Sequence, residues 1–187
     1  MGQYIKENKS LFVGQLLNQF GSMIMGLILS FTVSVLKMNA WGVLTVGVFT
    51  VGFFCVLQYT AMWDVGAQDI IRVEGGRLEY MPHTGFVISA IAGIPNFIFA
   101  IFSIIGETLG SASGPALEWA GSLGAIGKAG AMIWCSPFNC FLQALPNHHI
   151  FIYVLMPLVP VIAAGLGYYA GTNNFTIIKT KKKKKKK

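Results

Sequence analysis

Four uncharged, apolar stretches dominate the pattern of this chain: residues 11–36, 41–63, 86–106 and 150–171. A bilayer core about 30 Å thick requires roughly 20 apolar residues in a helix, so each stretch is long enough to cross it. Because backbone N–H and C=O groups in lipid must be paired within the segment, such stretches predict helices. The pattern therefore predicts an all-α, polytopic helical membrane protein with four transmembrane helices in a single domain, 1–178.

Lysine and arginine residues fall on alternate sides of the predicted spans. Lys37 and Lys128 stand alone in the first and third connections, whereas Arg72 and Arg77 share the second. The second connection and both terminal segments therefore hold the excess of positive charge, which is typical of cytoplasmic segments. We predict that both termini are cytoplasmic and that Lys37 and Lys128 lie on the outer side.

The first two connections indicate how the spans are joined. Residues 37–40 are so few that spans one and two must form an antiparallel helical hairpin, and Asn39 can cap the second helix. In the second connection, 64–85, either span two continues as a helix to Glu74 and ends at the glycine pair 75–76, or that pair forms a β-hairpin turn. We favour the helix, because a lone two-stranded hairpin is marginally stable. Six charged residues define this cytoplasmic loop: Asp64, Asp69, Arg72, Glu74, Arg77 and Glu79.

The third connection, 107–149, is too apolar to be a simple loop. A short helix is predicted to start at Pro115, with Glu118 one turn in. From 129 to 145 the chain is apolar again, but Ser136-Pro137 interrupts it. We predict a re-entrant or interfacial helical segment on the outer side, with a fifth span as the alternative. Non-helical backbone at this depth must be shielded by protein or line a wet cavity, so a functional cavity is expected here.

Small and polar residues recur at every fourth position of span one, and small residues recur in the same way in span four. Such stripes let membrane helices approach closely, because lipid supplies no hydrophobic drive for their association. We predict internal helix packing, with oligomer contact or pore lining as alternatives. The stripe residues are Gly14, Asn18, Ser22, Gly26, Ser30 and Ser34 in span one, and Ala163, Gly167 and Gly171 in span four.

Amide side chains are polar groups inside the predicted spans that can bind a solute or pair with each other. Gln15, Asn18 and Gln19 share one face of span one, and Gln58 and Asn96 lie in spans two and three. No Asp, Glu or His lies within a span, which argues against proton-driven transport. Kinked or loosened helices are expected at the prolines within spans: Pro95, Pro157 and Pro160.

Composition and charge exclude several classes of function. Hydrophobic residues make up 54% of the chain and charged residues only 11%, whereas an average soluble domain is about a quarter charged. The net charge of +7 comes from the lysine tail, 179–187, which we predict to be disordered and to contact anionic lipid headgroups rather than nucleic acid. No catalytic triad, phosphate-binding loop or dinucleotide fingerprint is present, so we predict no enzyme activity, no cofactor and no metal site.

Two pairs of residues near the predicted outer side are candidates for a metal site or a disulfide. His148 and His149 are predicted to be interfacial side chains, because adjacent residues on a helix point about 100° apart and no second ligand motif is present. Cys135 and Cys140 are able to form a disulfide if the outer side is oxidising. Their spacing is not that of a metal-binding or thioredoxin-like cysteine pair.

A local sequence pattern follows span two. The run Trp63-Asp64-Val65-Gly66-Ala67-Gln68-Asp69 is followed by Gly76-Arg77 and, in span three, by Ile94-Pro95. This W-D-x-G-A-x-D, G-R and I-P arrangement resembles that of uncharacterised small polytopic membrane proteins of Gram-positive bacteria. Ile70 departs from the pattern, since a basic residue usually follows the second Asp. The resemblance implies a bacterial inner-membrane protein and carries no activity with it.

These features favour an accessory or structural subunit of a larger membrane assembly, without catalysis of its own. Its expected partners are the bilayer and other membrane subunits or further copies of itself. The first alternative is a small-solute transporter or channel formed by oligomerisation. The second alternative is a membrane-embedded enzyme.

Overall fold

The computed structural model describes residues 9–110, 118–173 and 175, and every element within them is helical. The predicted all-α class is therefore confirmed. The predicted helix start at Pro115 and the lysine tail, 179–187, lie outside the described residues. In chain order the helices are α1 (Lys9–Val35), α2 (Ala40–Glu74), α3 (Thr84–Ala92), α4 (Ile94–Thr108), α5 (Glu118–Trp134), α6 (Asn139–Ala144) and α7 (His149–Thr172), with 3-10 turns at Ser136–Phe138 and Pro146–His148.

Three helical segments are long and apolar enough to cross a membrane: Leu11–Val35, Ala40–Glu74 and Pro146–Thr172. The predicted span at 86–106 is not one continuous helix. This region contains α3 and α4, which bend by 61° at Gly93 and make a fourth span only if the bent pair is counted as one. Pro95 favours the break because it has no N–H to continue the helical ladder across it.

The connection between α1 and α2 has the cap that the sequence predicts. The side-chain oxygen of Asn39 accepts a hydrogen bond from the N–H of Gly42 at 2.8 Å, which satisfies one of the unpaired donors at the start of α2. The two helices pack against each other, as expected for neighbours joined by so short a connection.

The end of α2 decides between the two structures considered for the second connection. The helix continues to Glu74, and Gly76 takes a left-handed conformation with φ of 67°. The N–H of Arg77 donates to the carbonyl of Arg72 at 2.9 Å, and that of Gly76 donates to Val73 at 3.0 Å. This pair of bonds is a Schellman motif, which requires a residue tolerant of positive φ. The helical extension is confirmed and the β-hairpin alternative is wrong.

The packing of α2 along α7 is the most extensive helix contact of the described residues. Glycines of the span-four stripe allow α2 and α7 to pack closely. A Cβ atom at Gly167 would overlap the carbonyl of Tyr59, and one at Gly171 would overlap the carbonyl of Trp63. Ala163 in the same stripe is half-buried. Close approach of two backbones is the usual basis of helix association in membranes.

The span-one stripe is covered at its centre and open at its ends. Ser22 and Ser30 are buried, whereas Gly14 and Ser34 are exposed and Asn18 is half-buried. The 3-10 turn Ser136–Phe138 covers the centre of this stripe.

Gly26 provides the space for that turn. A Cβ atom there would lie 2.5 Å from the nitrogen of Pro137. The hydroxyl of Ser136 also donates to the carbonyl of Met23 at 2.6 Å. Helices α5 and α6 therefore form a helix, turn, helix hairpin whose tip is packed against the middle of α1.

Candidate functional site

A small polar cavity lies where α1, α2 and α7 meet the break between α3 and α4. Its free volume is about 10 Å³, close to the minimum that holds one water molecule. The surrounding helices each contribute one or two residues. The lining residues are Gln15 and Gln19 of α1, Gln58 of α2, Ser89 and Ala92 of α3, Gly93 at the break, Asn96 of α4 and Pro160 of α7.

Local sequence explains why these amides point into the interior. Gln15 and Gln19 are four residues apart, so they lie on one face of α1, and both are buried. Gln58 lies on the buried face of α2. The N–H of Asn96 donates to the carbonyl of Gly93 at 2.8 Å, so the first turn of α4 holds this residue at the break. Asn96 is only 2% exposed.

A chain of amide hydrogen bonds joins the cavity to the tip of the α5–α6 hairpin. The side-chain nitrogen of Asn96 donates to Gln19 Oε1 at 3.5 Å, and Gln19 Nε2 donates to the carbonyl of Trp134 at 3.0 Å. Trp134 is the last residue of α5. The two places where helical structure is broken, at Gly93 and directly after Trp134, therefore meet at one glutamine.

Three amide oxygens at this cavity have no hydrogen-bond partner: Gln15 Oε1, Gln58 Oε1 and Asn96 Oδ1. Leaving a buried polar group unpaired costs about 1–3 kcal/mol. Natural proteins rarely keep such groups without a ligand, an ordered water or another use for the strain. The unpaired amide groups of the residues that line this cavity therefore make it the candidate binding site of the described residues.

Four of the five amides that the sequence singles out line this cavity, and Asn18 does not. Sequence reasoning missed four lining residues: Ser89, Ala92, Gly93 and Pro160. The proline after Gly93 indicated a kink there, but nothing in the sequence indicates that Ser89 and Pro160 face the same space.

The six loop residues do not form one site. Asp69 is buried, and its carboxylate accepts a hydrogen bond from the hydroxyl of Tyr168 at 3.2 Å. Arg72 lies 3.4 Å from the same carboxylate and is half-exposed. This group ties the end of α2 to α7. The remaining loop residues are exposed: Asp64, Glu74, Arg77 and Glu79.

A second polar group lies at the far ends of the helices. Glu107 pairs with the ammonium of Lys128 at 2.9 Å, and Nδ1 of His149 lies 3.6 Å from the same carboxylate. His148 is exposed. Among the described residues, no three His, Cys, Asp or Glu side chains are close enough together to hold a metal ion.

The two cysteines of the hairpin are not bonded to each other. Cys135 and Cys140 are both buried, and neither takes part in a disulfide. The 3-10 turn between them separates the end of α5 from the start of α6. Both therefore act as small apolar side chains in the packing of the hairpin.

Comparison with protein-family models, with curated proteins and with solved structures finds no match for this chain. The candidate functional site therefore rests on the described residues alone. Among them, the amide cavity combines burial, unpaired acceptors and helix breaks. The Asp69 and Glu107 carboxylates, by contrast, are engaged by neighbouring side chains.

Proposed function

We propose that this protein is a transporter or channel of the bacterial cytoplasmic membrane, and that its solute is held at the amide cavity. One observation carries the proposal: the helix break at Gly93 lines a small polar cavity together with four amide side chains, and one of these, Gln19, donates to the backbone carbonyl at the end of α5. Transporters commonly build their sites from discontinuous helices near the centre of the bilayer. A purely structural bundle gains nothing from unpaired acceptors, because each of them reduces its stability.

The size of the cavity limits what it holds in this conformation. A volume of about 10 Å³ accepts a species the size of one water molecule. Passage of a solute requires movement of the walls. Gly93 and Pro160 line the cavity at positions where the helical ladder is already weakened, so α3, α4 and α7 are where we expect that movement.

The proposed arrangement in the membrane has four spans and one re-entrant hairpin. The spans are α1, α2, the bent pair α3–α4, and α7, and the hairpin is α5–α6 entering from the outer side. Burial of the hairpin tip against Gly26 supports this, because non-helical backbone in lipid must be shielded by protein. Helix α2 has 35 residues, roughly 52 Å at 1.5 Å per residue. Its charged end therefore extends past the bilayer core, on the side proposed as cytoplasmic.

Cysteine labelling tests this orientation. Lys37 and Arg72 are exposed and Lys128 is partly exposed, so each is suitable for single Cys substitution in a protein whose Cys55, Cys135 and Cys140 are replaced by alanine. In intact cells an impermeant thiol reagent should label positions 37 and 128, and should label position 72 only after the membrane is opened. Labelling of 72 and 128 from the same side would contradict the four-span arrangement.

Liposome flux tests the transport proposal. The purified protein is reconstituted, and entry of Na⁺ and K⁺ is followed with trapped indicators, while entry of water, urea and glycerol is followed by light scattering after an osmotic step. At least one of these species should cross faster than in protein-free liposomes. Asn96→Leu should abolish the increase, because it replaces an amide that lines the cavity with an apolar group of the same branching.

The matched control is Gln68→Leu, which changes an exposed glutamine on α2 away from the cavity. It should leave the flux unchanged. If folded, inserted protein moved none of the five species faster than empty liposomes do, the transport proposal would be refuted.

The accessory role in a larger membrane assembly stays a prediction. Gly14 is exposed on α1 with open space beside it, so a further helix has room to approach there. Co-purification of other chains after mild detergent extraction would support that role. The absence of enzyme activity also stays a prediction.

A further inference from the structure

We propose that α4 and α5 form one rigid body, the α4–α5 pair, which swings relative to the other helices about the two helix breaks. The breaks lie at Gly93, directly before α4, and directly after Trp134, the last residue of α5. The other helices, α1, α2, α3, α6 and α7, form the main bundle. This inference concerns movement of the protein and does not depend on a solute in the amide cavity.

Backbone contact holds the α4–α5 pair together. A Cβ atom at Gly106 of α4 would overlap Gly124 of α5, and one at Gly127 of α5 would lie 2.5 Å from the nitrogen of Ser103 of α4. The contact between α4 and α5 is also far more extensive than that of either helix with the main bundle. Helices packed backbone to backbone cannot slide past each other without a clash, so these two move as a unit.

Helix α3, on the other side of the break at Gly93, belongs to the main bundle. Gly85 of α3 lies against Tyr168 of α7, and Gly165 of α7 lies against the ring of Phe86 of α3. Helix α7 packs in turn on α2 through glycines of the span-four stripe. Few contacts join α3 to α4. The bend therefore separates a helix fixed to the main bundle from one fixed to α5.

The backbone at each break favours rotation. Pro95 lacks the N–H that would bond the carbonyl of Ile91, so the helical ladder is interrupted at Gly93. After Trp134 the chain enters the 3-10 turn Ser136–Phe138, and hydrogen bonds of 3-10 turns have poorer geometry than those of α-helices. That turn is packed against α1. Rotation of α5 must therefore occur between α5 and the turn.

Gln19 of α1 holds the two ends of the α4–α5 pair at one point. Its oxygen accepts a hydrogen bond from Asn96 at 3.5 Å, and its nitrogen donates to the Trp134 carbonyl at 3.0 Å. An axis through the two breaks passes beside this residue, so the opposite ends of α4 and α5 move farthest. Helix α4 has 15 residues, roughly 22 Å at 1.5 Å per residue. A rotation of about 15° therefore moves its far end by roughly 6 Å.

Side chains, rather than close backbone contact, join the α4–α5 pair to α7. Residues of α4, α5 and α7 share one apolar cluster, in which each helix contributes buried side chains: Ala100 of α4, Ala131 of α5, and Ile152, Tyr153 and Met156 of α7. Side chains can change rotamer as helices shift, and methionine adapts most readily. This surface therefore permits the movement that the glycine contacts within each body prevent.

One polar contact joins the far end of the α4–α5 pair to α7. Nδ1 of His149 on α7 lies 3.6 Å from the carboxylate of Glu107 on α4. The same carboxylate pairs with Lys128 of α5 at 2.9 Å. A swing of the α4–α5 pair breaks the contact with His149 but keeps that with Lys128, because Glu107 and Lys128 move together.

Distances between spin labels test the inference. The protein, with Cys55, Cys135 and Cys140 replaced by alanine, carries two labelled cysteines at exposed positions and is measured in liposomes by double electron-electron resonance. One label pair lies within the α4–α5 pair, one lies within the main bundle, and one joins the two bodies. These label pairs are Ile98 with Trp119, Phe49 with Leu166, and Trp119 with Leu166.

His149→Leu should shift the distance from Trp119 to Leu166 by about 6 Å, or add a second distance, because it removes the contact at the far end. The other two distances should stay the same. Lys128→Leu is the matched control, since it removes a contact within the α4–α5 pair, and it should change none of the three. Glu107→Gln, which removes the charge that faces His149, decides if His149→Leu does not fold.

Two results would overturn the inference. One is an unchanged distance from Trp119 to Leu166 in the folded variant. The other is a change of similar size between Ile98 and Trp119, which would mean that α4 and α5 do not move as one body.

The swing and the transport proposal fail in different experiments. A shift of the distance from Trp119 to Leu166, without flux of any species in liposomes, would support the swing and refute transport. Flux with all three distances fixed in every variant would support transport and refute the swing.

Discussion

Gly26→Leu should lower the free energy of unfolding by about 3 kcal/mol, near the upper end of the usual cost of overpacking a filled core. The atoms that a side chain would meet at this position are backbone atoms of Ser136 and Pro137 in the hairpin tip, at 2.5–2.6 Å from an added Cβ. Backbone cannot rotate away as a flexible side chain can. The hairpin must therefore leave α1, which also breaks the bond from Ser136 to the Met23 carbonyl.

The measurement is unfolding of the purified protein in detergent by increasing dodecyl sulfate, followed by tryptophan fluorescence. Gly52→Leu is the matched control, because Gly52 is an exposed glycine of α2 with nothing near an added Cβ. It should unfold at or slightly above the wild-type midpoint, since leucine is the better helix former. Equal midpoints for Gly26→Leu and wild type would mean that the hairpin tip does not pack against α1.

Gly167→Leu should also lower the free energy of unfolding by about 3 kcal/mol, because it disrupts a different helix contact. Gly167 lies against the carbonyl of Tyr59, so a side chain there forces α2 and α7 apart. Their separation would also lengthen the bond from Tyr168 to Asp69 and strand a buried carboxylate without that donor. The decrease in the free energy of unfolding should therefore be several times that caused by a typical surface substitution.

Leu166→Ala is the comparison for this variant, because Leu166 is the neighbouring residue and is 53% exposed. In detergent its unfolding midpoint should stay close to that of the wild type. Cysteines placed at Trp63 of α2 and at Phe175 just after α7, two residues joined by a hydrogen bond of 2.9 Å, provide a second readout. A change in their cross-linking yield in Gly167→Leu but not in Leu166→Ala would show separation of the two helices.

Features that depend on neighbouring residues could be predicted from the sequence. Uncharged stretches of sufficient length predicted the long helices, Asn39 indicated the start of α2, and the glycine at 76 indicated its end. Each of these depends on backbone chemistry within a few residues. The third span was predicted as continuous because its composition is uniform. Pro95 indicated a kink, but the size of the bend depends on how α3 and α4 pack on α7.

The sequence predicted which amide residues of the candidate site lie within spans, but not how they are arranged. The sequence showed that Gln15, Gln19, Gln58 and Asn96 were amides inside spans, yet it left open whether they pair with each other or bind a solute. Their arrangement depends on the bond between Gln19 and the Trp134 carbonyl, two groups separated by 115 positions. A backbone carbonyl at a helix end has no signature of its own in the sequence. The interruption of the helical segment at Ser136-Pro137 was predicted, but its contact with the amides was not.

The bridge through Gln19 makes the bent span and the hairpin mechanically dependent on each other. A change in the 61° bend displaces Asn96, and Gln19 must then either lose its bond to Asn96 or rotate and release the Trp134 carbonyl. In the first case the hairpin stays attached to α1 through Trp134 and Ser136. In the second case the hairpin tip loses one of its two hydrogen bonds to α1, since only that from Ser136 to Met23 remains. One glutamine thus links the bend at Gly93 to the attachment of the hairpin to α1.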